Sequence, residues 1–152
     1  QMLEETAAAG EWTLQYKTMT FMDKNLVNTA STRAALAAAC SASAADTYSA
    51  YNREVYRNQP ANEVRGAVGY TDELLRDTIP ATVGITGEAL TGFQACYDDK
   101  ATADFVKAVD ESAYNDGVTG TPTLTVNGKK LDLNQVTDFT PDGVKQFILA
   151  NA

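Results

Sequence analysis

The residues of this chain best suited to chemistry are one proline bond and two cysteines. Thr121-Pro122 lies inside Gly117-Val118-Thr119-Gly120-Thr121-Pro122-Thr123-Leu124-Thr125-Val126-Asn127-Gly128-Lys129. There a small-residue loop meets a β-branched run and then an Asn-Gly pair. An X-Pro bond adopts the cis form at a cost of about 0.5–1 kcal/mol, against about 2.5–4 kcal/mol for other residues. Proline also brings no backbone N–H. The carbonyl and amide of Thr121 are then left to pair with an incoming extended peptide, which would add a strand to a sheet edge. A trans proline in a plain turn is the alternative. The flanking Gly117 and Gly120 and the hairpin behind them favour the cis form.

Cys40 and Cys96 are the only cysteines, and their spacing is far from a C-x-x-C redox pair. Each lies late in an Ala- or Gly-containing helical pattern. A disulfide joining two helices is the preferred reading; it would restrict the unfolded chain by about 4 kcal/mol on the loop-entropy account. Two buried free thiols, packing as small apolar groups, are the other. A bridge implies an oxidising compartment. There is no histidine. That excludes Ser-His-Asp and Cys-His catalysis and most zinc sites, so neither a metal nor a cofactor is expected.

Other polar clusters read as structure. Asp98-Asp99 and Asp110-Glu111 lack calcium-loop spacing and suit solvated helix ends. Tyr48, Tyr51 and Tyr56 recur at helical intervals and suit a core. Gly84 and Gly87 are too sparse for a phosphate cradle. The chain carries 12 Lys plus Arg against 20 Asp plus Glu, a formal charge of −8, with no basic run. Nucleic acid is therefore not expected as a partner, and the acidity is read as serving solubility rather than the steering of a basic substrate. No apolar stretch is long enough to span a bilayer, and no basic-then-apolar segment opens the chain.

The 152 residues, 44% of them apolar, make one domain's worth of chain with an ordinary core. Residues 1–9 read as the tail of a helix stopped by Gly10, with no cap before it, as though the helix began upstream. Residues 11–21 alternate, Trp12, Leu14 and Tyr16 against Thr13, Gln15 and Lys17, which predicts a half-buried strand. Helices follow. One runs through Ala34–Cys40, with Ser31 or Thr32 as cap, and another over residues 44–58 buries Tyr48, Tyr51, Val55 and Tyr56. A third starts at Thr71, a fourth at Thr86 or Gly87, and a fifth over residues 103–115 behind Thr102, with Phe105, Val106, Val109 and Ala113 as its apolar stripe. Strand character returns at Thr123–Val126, turns at Asn127-Gly128 and pairs back over Lys129–Leu133. Thr140 caps a closing helix with Pro141 at its first position and Val144, Phe147 and Ile148 facing inward. A lone strand and a lone hairpin make no stable sheets apart, so they are expected to share one.

These segments together resemble the DsbA-like thiol–disulfide oxidoreductases of the secreted actinobacterial type. The resemblance rests on residues 12–16, Ser31 to Cys40, Tyr51-Asn52 to Gln59-Pro60, Tyr70 to Leu74, Phe93-Gln94-Ala95-Cys96 and Gly117 to Thr123. It implies an α/β fold: a thioredoxin-like sheet with an inserted all-helical subdomain, the N-terminal strand and the start of the active-site helix being absent. The parts would be residues 1–28 (helix tail and strand), 29–115 (helical insertion) and 116–152 (cis-proline loop, hairpin and last helix).

The resemblance further implies that Thr121 and Pro122 bind substrate and that Cys40 and Cys96 form a second, non-catalytic disulfide. The implied partners are unfolded or reduced exported polypeptides, with room for a membrane redox partner, in an extracytoplasmic location. The C-x-x-C that such proteins use is missing, so no catalytic residue is assigned and the chain alone is expected to be inactive. The expectation is a fragment of an oxidoreductase whose C-x-x-C lies upstream. A non-catalytic peptide-binding or folding-helper module is the alternative, and a glutathione-dependent isomerase a third class that topology alone allows.

Overall fold

The computed structural model describes residues 2–152; Gln1 lies outside the described residues. Two compact units emerge, one comprising residues through Tyr16 together with Tyr114–Ala152, the other Lys17–Ala113.

In the first unit, helix α1 (Met2–Ala8) ends as expected at Gly10, whose φ is +78°. The Glu11 N–H donates to the Thr6 carbonyl at 3.2 Å and the Gly10 N–H to Ala7 at 2.9 Å, a closure that needs a left-handed residue between them. The expected strand over residues 11–21 does not form. That segment pairs with no strand among the described residues. Trp12 and Leu14 are half-buried and Thr13 and Gln15 exposed, so the alternation is real, but Tyr16 is 37% exposed. The polar tips anchor to α1: Trp12 Nε1 donates to the Leu3 carbonyl at 3.0 Å and the Tyr16 hydroxyl to Glu4 at 2.9 Å. Period-two patterning reports a half-buried segment, and a ladder needs a neighbouring strand as well.

The hairpin is present but short. Strands β1 (Thr125–Val126) and β2 (Lys129–Lys130) pair antiparallel, and Leu131 N–H extends the ladder to the Leu124 carbonyl at 2.9 Å. Asn127 and Gly128 take φ values of +49° and +80°, the twofold positive φ of a type I′ turn. Pairing stops before Leu133, where Asp132 starts a 3₁₀ turn (Leu133–Gln135) by accepting the Asn134 N–H at 3.0 Å. A single two-stranded sheet is what the described residues hold, in place of the larger sheet expected. Helix α8 (Pro141–Ala150) begins as predicted: Thr140 Oγ1 accepts the Gly143 N–H at 3.2 Å, and Ile148 is buried. It packs against α1.

The second unit is helical. Helix α2 (Met22–Leu26) was not foreseen; it turns the chain into α3 (Ala30–Ala45). Nine residues of α3 are buried, eight of them in one run from Ala34 to Ser41, because its alanines let neighbours approach on every side. Neither Ser31 nor Thr32 is its cap; the chain turns at Thr29, whose hydroxyl makes no capping bond and instead accepts from Arg33 Nε at 3.3 Å. The Asp23 carboxylate, from α2, accepts the Ser31 and Thr32 N–H groups instead.

Helix α4 (Tyr48–Arg57) starts later than predicted, since α3 extends to Ala45. It buries Tyr51 and Val55, but Tyr56 is 67% exposed, contrary to expectation. Thr71 Oγ1 accepts the Leu74 N–H as predicted, opening a helical stretch that widens into a π turn (Leu74–Thr78) before α5 (Ile79–Thr82). Pro80 accounts for the widening: it has no N–H for the Arg76 carbonyl, and its ring would crowd that oxygen.

Helix α6 (Gly87–Asp98) packs on α3. Helix α7 (Ala103–Asn115) buries Val106 and Ala113 but leaves Phe105 61% exposed, which corrects the predicted stripe. The core joins Ala37, Cys40, Tyr51, Leu75, Ile79, Ile85 and Phe93, with the Tyr51 and Phe93 rings 5.6 Å apart.

Candidate functional site: the proline loop and the interhelical disulfide

The residues singled out from sequence fall in two places. Thr121 and Pro122 belong to the first unit, Cys40 and Cys96 to the second. Around the proline, Gly117 at φ +75° closes α7 by donating its N–H to the Tyr114 carbonyl at 2.9 Å. The Thr121–Pro122 peptide bond is cis. Thr123 Oγ1 donates to the Gly120 carbonyl at 2.7 Å, which folds the loop onto itself just before β1. Thr121 and Pro122 are both exposed, and a Cβ at Gly117 or Gly120 would meet nothing within 4 Å. The loop thus offers an exposed surface at Thr121 and Pro122, with open space at Gly117 and Gly120, leading into β1.

Two carboxylates further along are held by their neighbours. Asp132 titrates below the usual range, chiefly because it accepts the Asn134 backbone N–H. Asp138 does so because it accepts that of Thr140. Both stay charged and brace the turns around the hairpin and α8.

In the helical unit, Cys40 and Cys96 form a disulfide with their Cα atoms 5.8 Å apart, tying α3 to α6. Cys40 is wholly buried and Cys96 half-buried. Thr102, predicted as the cap of α7, does something else with its side chain. Its hydroxyl donates to the Leu36 carbonyl at 3.2 Å and lies 3.7 Å from Cys40 Sγ.

A polar cluster that sequence reasoning missed ties the start of the π-bulged stretch to α3 and α6. Tyr97 donates to Asp72 at 2.7 Å, and Arg33 Nη1 donates to the same oxygen at 2.9 Å while its Nη2 reaches the Val68 carbonyl at 2.8 Å. Burial, then its bond to Asp72, pushes the Tyr97 phenol up to about 12. Asp72 is lowered, first by Tyr97 and then by Arg33. These residues are about 25 and 39 positions apart, so no local spacing signals them. Tyr70 is likewise pushed up to about 12, mainly by burial. Among the described residues no group of three His, Cys, Asp or Glu is placed to hold a metal ion, and no helix is long and apolar enough to cross a membrane.

A chain that turns through a proline loop into a hairpin and a closing helix, with helices in between, has the order of a helix-rich thioredoxin-like protein. The thioredoxin family model matches residues 1–148, and the chain belongs to that family. Thiol–disulfide oxidoreductase-type function is what this family membership suggests. No curated protein and no solved structure matches the chain.

Proposed function

We propose that this chain is a DsbA-like member of the thioredoxin family that serves disulfide formation in exported polypeptides. Residues 29–115 are its helical insertion, and Thr121 and Pro122 are the surface on which a client backbone lies. The carrying observation is the family match across the loop and nearly the whole chain. The exposure of Thr121 and Pro122 and the open space at Gly117 and Gly120 support it. An extended client passing this loop could add its backbone beside β1, taking affinity from main-chain hydrogen bonds and little from sequence.

The chemistry itself requires a thiolate. Both cysteines of residues 1–152 are spent in the interhelical bridge. The reading therefore expects the reactive C-x-x-C upstream of α1, and an extracytoplasmic setting suits the bridge. A membrane-bound redox partner would then reoxidise that pair.

The test is a titration of the isotopically labelled chain with an unfolded peptide whose cysteines are replaced by serine. Amide shifts should change at Thr121, Thr123, Leu124 and Thr125, and Thr121→Arg should weaken binding several-fold. Binding that maps only to other surfaces, or none at millimolar peptide, would overturn the reading. The bonded state of both cysteines also favours a second reading, a non-catalytic peptide-binding or folding-helper module. Insulin reduction separates the two. Residues 1–152 alone should be inactive under either, and a longer form of the polypeptide should be active only under the first.

A further inference from the structure

The interhelical disulfide has two unlike faces. Cys40 is fully buried in the core with Ala37, Tyr51 and Phe93. Cys96 is half-buried near the end of α6. Cys96 packs against the core cluster, and its side chain leans toward the preceding turn of α6, where position 92 lies on the same side. That position is glycine and is exposed, and a Cβ there would meet nothing within 4 Å. The flank of α6 one turn before Cys96 is therefore open, whereas Cys40 is closed off.

The other half of the pair has a prepared neighbour. Thr102 Oγ1 lies 3.7 Å from Cys40 Sγ and already donates its proton to the Leu36 carbonyl. Its oxygen lone pairs are then available to a protonated Cys40, which would otherwise be a buried donor among apolar groups.

We propose that Cys40–Cys96 is a thiol–disulfide exchange site in its own right, entered by small thiols at Cys96 over Gly92, with Cys40 as the buried resolving sulfur. This does not depend on the client-binding reading. A thiolate RS⁻ attacks Cys96 Sγ; the S–S bond breaks and its electron pair leaves on Cys40. The product is a mixed disulfide at Cys96 and a Cys40 thiolate, which takes a proton from solvent and donates it in a hydrogen bond to Thr102 Oγ1. A second RS⁻ attacks the mixed disulfide, releasing RSSR and the Cys96 thiolate, which also protonates. In sum two thiols are oxidised to one disulfide and the bridge is reduced by two electrons. In the absence of a second thiol, Cys40 loses its proton, attacks the mixed disulfide at Cys96, expels RS⁻ and restores the bridge. Cys40 must leave as a thiolate into a fully buried, apolar site, which slows the first step, so the bridge resists brief exposure and yields to sustained reductant.

The experiment treats the folded chain with reduced glutathione at neutral pH, quenches with acid, and maps the adducts by mass spectrometry. Glutathione should sit on Cys96 in about tenfold or greater excess over Cys40. Gly92→Leu should slow adduct formation about fivefold by covering the sulfur, while Gly92→Ala, which raises helix propensity without covering it, should change the rate less than about twofold. With Cys40→Ala the remaining Cys96 should be alkylated by iodoacetamide in the native state. With Cys96→Ala the remaining Cys40 should be alkylated only in denaturant. Equal adducts on both cysteines, adduct formation only in denaturant, or equal rates for Gly92→Leu and Gly92→Ala would overturn the proposal.

Discussion

The Asp23 carboxylate accepts the backbone N–H of Ser31 at 2.7 Å, and with its other oxygen that of Thr32 at 2.9 Å. One side chain of α2 thus satisfies two of the unpaired donors at the start of α3, from eight and nine residues away. Charged acceptors at a helix N-terminus are the stronger kind of cap. Asp23→Ala should cost about 1–2 kcal/mol of folding free energy by urea denaturation, and Asp23→Asn less. An unchanged midpoint for the alanine variant would show that water caps α3 equally well.

Gly69 has φ +69°, and a Cβ placed on it would lie 2.6 Å from the Ala30 Cβ at the first position of α3. Both the backbone conformation and the lack of space demand glycine here. Gly10, at φ +78°, has open space around it. Gly69→Ala should therefore destabilise the chain by about 2–3 kcal/mol and Gly10→Ala by about 1 kcal/mol. Equal losses in the two variants would mean that Ala30 yields freely.

The Cys40–Cys96 bridge spans 56 positions and crosses between α3 and α6. The double variant Cys40→Ala/Cys96→Ala should lose about 4 kcal/mol, or roughly 10 °C in Tm, relative to the oxidised chain. Calorimetry of the two proteins decides it. A variant melting at the same temperature would remove the bridge from any structural role.

Tyr97 and Asp72 make stability depend on pH at both extremes. The Tyr97 phenol, buried and bonded to Asp72, is pushed from 10.0 up to about 12. Its proton is held more tightly in the folded chain, so its contribution is complete below pH 10 and lost as pH rises from about 10 to about 12. Asp72 is lowered, first by the Tyr97 hydroxyl, from 3.8. Its contribution is complete above that value and lost as pH falls below it. The acid side is small, because the Asp72 side chain is 69% exposed and solvent screens its pairing with Arg33. Tyr97→Phe should flatten both limbs of a stability–pH profile. An unaltered alkaline limb would assign that limb to Tyr51, Tyr70 or Tyr48, which burial also raises.

Local signals proved readable where one turn of chain contains its own cause. Gly10 ends α1, Asn127-Gly128 makes the hairpin and Thr140-Pro141 starts α8, each through φ limits or a side-chain acceptor a few residues off. The apolar faces were half right: Tyr51 and Val55 are buried, while Tyr56 and Phe105 sit at the edges of their stripes and lie open. The strand over residues 11–21 failed for a different reason. Alternation says that one face is covered and leaves unstated what covers it, and here the polar tips of Trp12 and Tyr16 bond to α1.

By itself the sequence determined the helix-rich order of elements, the turn chemistry and the order of motifs that places the chain in its family. All of these follow from residue types acting within a few positions of one another. The tertiary structure decided which distant groups meet: that Asp23 caps α3, that Thr102 faces Cys40 Sγ and Leu36, and that Arg33 and Tyr97 converge on Asp72. Each of these is a long-range contact set by how helices cross. Helix crossing depends on the packing of whole faces, which no short stretch of residues encodes.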